Sequence, residues 1–101
     1  EAVRWYRMGA EQGYVRAQHN LGVSYANGQG VEKNEAEASL WFRKAAEKGY
    51  AQAQFEIGYR YEKGNGVEKN EEEAMKWYRK AAEQGHAAAQ AQIATSQSVT
   101  E

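Results

Sequence analysis

The 101-residue chain contains no cysteine, no proline and no aspartate. Without cysteine there are no disulfides, no thiolate metal sites and no thiol nucleophile. A thiol-free chain suits the cytoplasm and a periplasmic or secretory compartment alike, so composition leaves the location open. Without aspartate a Ser-His-Asp triad cannot be assembled. Only two histidines are present, His19 and His86, and neither stands in a His-x3-His or His-Glu-x-x-His spacing, so no metal site is expected. No apolar run approaches the roughly 20 residues a membrane span needs. Charge of one sign is also missing. The formal net charge is -1 and the pI about 6.2, which exerts no global pull on nucleic acid or an anionic membrane. The basic pairs Arg43-Lys44 and Arg79-Lys80 are offset by nearby glutamates and read as solvated faces. There is no initiator methionine, and the chain opens inside a repeated pattern, as expected of a cut from a longer protein.

That pattern is what the sequence does contain. WYRMGAEQGY (5–14), WFRKAAEKGY (41–50) and WYRKAAEQGH (77–86) are near-copies spaced by 36 residues. No gap is needed to align the matching columns: Trp5, Trp41 and Trp77; Ala10, Ala46 and Ala82; Gly13, Gly49 and Gly85; Gln18, Gln54 and Gln90; Gly22 and Gly58; Tyr25 and Tyr61. A repeat of this length is the signature of stacked supersecondary units.

Each unit carries two helical patterns. Ala38, Trp41, Phe42, Ala45 and Ala46 fall at i, i+3, i+4, i+7 and i+8, one face of a helix. Asn34 is a good N-cap, and Glu37 three residues on suggests a capping box, repeated by Asn70 and Glu73. Gly49 supplies a left-handed stop, with Tyr50 after it able to fold back on the last turn. The second pattern is Ala53, Ile57 and Tyr61 at i, i+4 and i+8, matched by Ala17, Leu21 and Tyr25. Gly22 and Gly58 interrupt these helices at one register, although glycine costs about 1 kcal/mol relative to alanine there. A close helix–helix approach that leaves no room for a Cβ explains them. The spacing predicts helices over 1–12, 15–27, 34–48, 51–63, 70–84 and 87–97, joined by short loops and hence antiparallel to their neighbours. One hairpin cannot bury both apolar stripes; stacked hairpins can. The last unit decays: Ala94 replaces the interior glycine, Gln97 the tyrosine, and the tail SQSVTE is polar.

The stretch AQHNLGVSYANGQGVEKNEAEASLWFRKAAEKGYAQAQ resembles the Sel1-like repeat family, a relative of the tetratricopeptide repeats. The likeness rests on Ala-Gln before Leu21-Gly22, Tyr25, the Gly-x-Gly-Val loop at 28–31, Trp41, and Ala45-Ala46 followed by Gly49. It spans roughly residues 1–94. The chain departs from the family at Glu32 and Glu68, where proline is common, and at Asn34 and Asn70, where aspartate is common. The resemblance implies an all-α, right-handed α/α superhelical solenoid of antiparallel helix pairs with a 36-residue period. The expected division of the single segment 1–101 is a partial repeat over 1–14, repeats over 15–50 and 51–86, and a terminal helix with polar tail over 87–101.

Catalysis finds little support in the inventory of reactive groups. Glu71, Glu72 and Glu73 suit the first turn of a helix better than acid–base chemistry. GQGVEKN and GNGVEKN lack a Gly-Lys-Ser/Thr ending and a preceding strand, so they read as turns. The tryptophans lie on the apolar stripe and are expected in the core. No enzyme activity and no cofactor are expected. The resemblance implies that the first helix of each unit lines a concave face. Columns there that vary between units are free to read a partner: Arg16, Asn20, Val23, Ser24 and Asn27 in one unit, and Gln52, Glu56, Tyr59, Arg60 and Lys63 in the next. The expected function is a scaffold that holds an extended peptide or partner segment. The alternative is a structural spacer or self-assembling segment, with residues 1–12 of one copy against 87–97 of another.

Overall fold

The computed structural model describes the backbone of residues 2–100 and side chains through Thr95; Gln97 and the tail side chains lie outside the described residues. Six helices follow one another: α1 (Ala2–Glu11), α2 (Val15–Asn27), α3 (Glu35–Glu47), α4 (Ala51–Lys63), α5 (Glu71–Glu83) and α6 (Ala87–Thr100). No strand occurs among the described residues. Each helix packs mainly on the one before and the one after, which draws the chain out to 48 × 24 × 16 Å. This is the solenoid of antiparallel helix pairs that the period requires.

The local signals act much as their chemistry dictates. Asn34 Oδ1 accepts the Glu37 N–H at 3.0 Å, and Asn70 Oδ1 accepts that of Glu73 at 3.0 Å. The return arm of a capping box is absent. The Asn34 N–H goes to the Tyr25 carbonyl at 2.9 Å, and that of Asn70 to Tyr61 at 2.9 Å. The cap therefore also fastens the loop to the helix before it. At the other end Gly49 has φ +94°, its N–H reaches Ala46 O at 2.9 Å, and the Tyr50 N–H reaches Ala45 O at 3.3 Å. That is the Schellman arrangement.

The core is one stripe through the stack. Leu21, Phe42, Ile57 and Tyr78 are its largest fully buried apolar side chains, each contributing roughly 1.5–3 kcal/mol by burial. Small residues let the helices meet. A Cβ on Gly22 would lie 2.9 Å from the Phe42 ring, and one on Gly58 would lie 3.0 Å from the Tyr78 ring. The tryptophans divide, contrary to the expectation of a uniform core column. Trp77 is 4% exposed, Trp41 is half-buried, and Trp5 is 67% exposed. Trp77 lines one cleft with Ala46 and Gly49 of the repeat before it and Gln54 of its own. Trp5 has no preceding unit among the described residues.

Candidate partner-binding face

The helices α2 and α4, which carry the expected binding residues, are fixed by columns whose purpose the sequence did not disclose. Gln18, Gln54 and Gln90 each reach back with Nε2 to the carbonyls of Ala10, Ala46 and Ala82, at 3.3, 3.2 and 3.1 Å. They add a second hydrogen bond to end carbonyls of the preceding helix, each of which already accepts the N–H of the glycine that stops it. A second strap joins successive units. The Lys48 ammonium donates to the Gly13 carbonyl, and Gln84 Nε2 donates to the Gly49 carbonyl at 2.8 Å and to Gln54 Oε1 at 3.0 Å. Lys48 does not repeat that last bond, and Gln18 Oε1 is buried without a partner. Arg7 donates to the Tyr25 hydroxyl and Arg43 to that of Tyr61, each guanidinium lying 5.8 Å from the tyrosine ring centroid. Arg43 is thus engaged with its neighbours, whereas Lys44, Arg79 and Lys80 are exposed as the sequence suggested. The recurrence of these columns was visible; the bonds they make were not.

Within each full repeat an aromatic triplet recurs. His19 lies 5.4 Å from Phe42 and 5.2 Å from Tyr50; Phe55 lies 5.7 Å from Tyr78 and 4.9 Å from His86. Both histidines therefore belong to packing. Burial holds the His19 imidazole below its ordinary pKa, opposed weakly by the charge of Glu56. His86 Nδ1 accepts the Ala89 N–H at 3.2 Å, so the neutral ring carries its proton on Nε2 and donates it to Gln52 Oε1 at 2.9 Å.

The expected partner-contacting residues separate into two groups. Arg16 and Asn27 on α2, and Tyr59 and Lys63 on α4, are exposed; Tyr59 is 42% exposed, with the Lys63 ammonium 5.6 Å from its ring centroid. Asn20, Val23, Gln52 and Glu56 are half-buried, and Gln52 Nε2 donates to Glu56 Oε2 at 3.3 Å. Ser24 and Arg60 are only 3% and 7% exposed, which corrects the expectation that they stand free. The Arg60 guanidinium pairs with Glu35 Oε1 at 2.9 Å, donates to Ser39 Oγ at 3.4 Å and lies 5.1 Å from the centroid of Phe42. Ser39 in turn donates to the Asn65 carbonyl at 2.9 Å. One unit earlier, the equivalent column holds the short Ser24. A cavity of about 340 Å³ remains there, lined by Ala2, Val3, Tyr6, Ser24, Gln29 and Gly30. Glu62 closes the side of the row toward α6. It accepts the Tyr78 hydroxyl at 2.6 Å and Gln92 Nε2 at 3.2 Å. Burial first, and then this bond to Glu62, push the Tyr78 phenol well above its ordinary value of 10.

Among the described residues, no three His, Cys, Asp or Glu side chains come together. No described helix is long and apolar enough to cross a membrane. The face offers amides, a tyrosine and charged side chains. A sequence model of the Sel1 repeat matches residues 1–14, 15–50 and 51–86. The chain belongs to the Sel1 repeat family.

As a class, Sel1 repeats are non-enzymatic scaffolds for protein interaction. Solved Sel1 structures superpose closely on the chain. A Sel1 repeat protein from Oxalobacter formigenes is 49% identical with a TM-score of 0.88, over 90% of this chain and 37% of its own. A protective antigen of uropathogenic Escherichia coli strains, which displays the same repeat fold, is 48% identical with a TM-score of 0.84, over 86% of this chain and 19% of its own. The cysteine-rich protein B of Helicobacter pylori is 29% identical with a TM-score of 0.82, over 86% of this chain and 65% of its own. The Sel1 segment described here thus spans about a third, a fifth and two thirds of these three proteins. No curated protein matches it.

Proposed function

We propose that this Sel1 segment is an interaction module that holds an extended segment of a partner protein along the row formed by α2, α4 and α6. The observation that carries the reading is the contrast between columns. The columns Gln18, Gln54 and Gln90, Arg7 and Arg43, and Tyr25 and Tyr61 recur and make the same bonds in each unit. Arg16, Asn20, Val23 and Asn27 change to Gln52, Glu56, Tyr59 and Lys63 at the same surface positions. Tyr59, with its exposed ring, is the anchor, since tyrosine is enriched at interface hot spots. Ser24 and Arg60 shape the wall from beneath and do not meet the partner.

The test is selection of binders from a random-peptide display library, followed by titration of ¹⁵N-labelled protein with the selected sequences. Shifts are expected along Asn20, Val23, Glu56, Tyr59 and Lys63. Tyr59→Ala should weaken binding by about tenfold or more and leave the circular dichroism spectrum unchanged. Selected peptides that bind Tyr59→Ala as tightly as wild type would reject the row as the site.

The spacer reading draws on the exposed Trp5 and Met8 of α1, an apolar face open to a second copy. Ala94 counts against its simplest form. Gly22 and Gly58 admit an aromatic ring from the following helix, and Ala94 has a Cβ in that place. Light scattering across a concentration series separates the readings, because self-assembly requires a mass that rises with concentration.

A further inference from the structure

We infer that the cleft between α3 and α5 binds a carboxylate, of the kind an acidic side chain of a partner protein would bring. The cleft has a volume of about 390 Å³, and Arg43, Glu47, Lys76, Trp77 and Lys80 line it. It lies on the helices that alternate with α2, α4 and α6, so it is separate from the row proposed above.

The charges around the cleft do not cancel. Arg43 Nε pairs with Glu47 Oε2 at 3.1 Å, and Lys76 with Glu73 Oε1 at 3.4 Å. Lys80 has no ion-pair partner among the described residues. Of the three cations that line the cleft, Arg43 and Lys76 each pair with a carboxylate and Lys80 does not, so one positive charge is left over. A single carboxylate balances it; a dianionic phosphate overshoots.

The floor of the cleft supplies an independent sign. Trp77 is buried, and its indole N–H has no hydrogen-bond acceptor. A buried donor without a partner is rare enough to require an explanation. The ammonium groups of Lys76 and Lys80 lie 5.0 and 5.9 Å from the ring centroid, covering it. A carboxylate held beside the ring by these two ammonium groups supplies the acceptor that the in-plane N–H lacks.

The preceding unit provides an internal control. The equivalent positions 36 residues earlier are held by Arg7, Glu11, Leu40, Trp41 and Lys44. The Trp41 N–H is likewise unpartnered, but Leu40 stands where Lys76 does, so the second lysine is missing. The site is therefore particular to the α3–α5 cleft.

The test uses the blocked peptide acetyl-Ala-Glu-Ala-amide, its Ala-Gln-Ala counterpart and inorganic phosphate, each titrated into ¹⁵N-labelled protein at low ionic strength. The glutamate peptide should shift the Trp77 indole N–H signal and the amides around Lys80, and the effect should fade with added salt. The glutamine peptide should do neither. Lys76→Leu combined with Lys80→Gln should weaken the glutamate peptide by about tenfold or more. Leucine already occupies this column at Leu40, so the variant is expected to fold; Lys80→Glu alone is a second check. Absence of a Trp77 shift, equal binding of the glutamine peptide, or an unchanged affinity in both variants would overturn the site. Tighter binding of phosphate at equal ionic strength would overturn the choice of a carboxylate. Because Tyr59 does not line this cleft, Tyr59→Ala should leave the titration unchanged, which separates this site from the groove.

Discussion

Arg60 is the residue on which the distinction between binding surface and scaffold turns, and its replacement gives the sharpest test. Arg60→Ala removes a guanidinium that is 7% exposed, pairs with Glu35 at 2.9 Å and stacks on Phe42. Stripping one partner from a fully buried pair costs about 3–5 kcal/mol, because the survivor is stranded. The Glu35 side chain is 33% exposed and can rehydrate, and Ser39 keeps its bond to Asn65. The expected loss is therefore smaller, about 2–3 kcal/mol, part ion pair and part packing of the side-chain stem. For a chain of this size that lowers Tm by roughly 8–20 °C. Arg60→Met keeps the stem and should recover about 1 kcal/mol.

The pH dependence identifies the electrostatic share. The hydrogen bond from Arg60, aided by charge from Arg60 and Lys33 and opposed by burial, holds the Glu35 carboxyl below the usual carboxylate range. A depressed carboxylate stabilises the fold fully above its unfolded pKa, about 4.3 for glutamate. That stabilisation is lost as pH falls through the folded value. Urea unfolding followed by circular dichroism should find the Arg60→Ala penalty largest near pH 7 and smaller near pH 3. An equal penalty at both pH values, together with an equal penalty in a Glu35→Gln background, would refute the ion pair and leave packing alone.

Other consequences can be read by the same unfolding assay. Gln54→Ala removes bonds to Ala46 and Gln84 and should cost about 1–2 kcal/mol, whereas Gln18→Ala, whose Oε1 is already unpaired, should cost less. Gly58→Ala should fail to deliver the roughly 1 kcal/mol that helix propensity offers, because its Cβ would meet Tyr78 at 3.0 Å. Ala94→Gly, at an exposed position in the same column, should lose about that amount. In an alkaline absorbance titration the Tyr78 phenol should ionise late, and that late step should vanish in Tyr78→Phe. Because folding raises this pKa, the stability that Tyr78 contributes is complete below pH 10 and is lost as pH rises beyond it.

Most of the architecture was legible in the chain itself. The expected spans 15–27 and 51–63 coincide with α2 and α4, and the other expected ends fall within three residues of the observed ones. Caps, stops and apolar stripes are local devices, set by residues three or four positions apart, so sequence spacing carries them. The close approach at Gly22 and Gly58 was legible for a related reason: a glycine that returns at one register marks one recurring contact.

The chain could not say which of the varying side chains face water. Tyr59 and Arg60 are neighbours in one helix and looked equally available, yet one is exposed and the other is bound 25 residues back to Glu35. Trp5 and Trp77 stand in nearly the same sequence context, yet one is open and the other buried. In a stack, burial comes from the adjacent unit and from how far a long side chain can reach across the joint. Sequence by itself determined the helices and the surfaces by which they meet; only the packed units decided which polar groups those joints consume and which they leave for a partner.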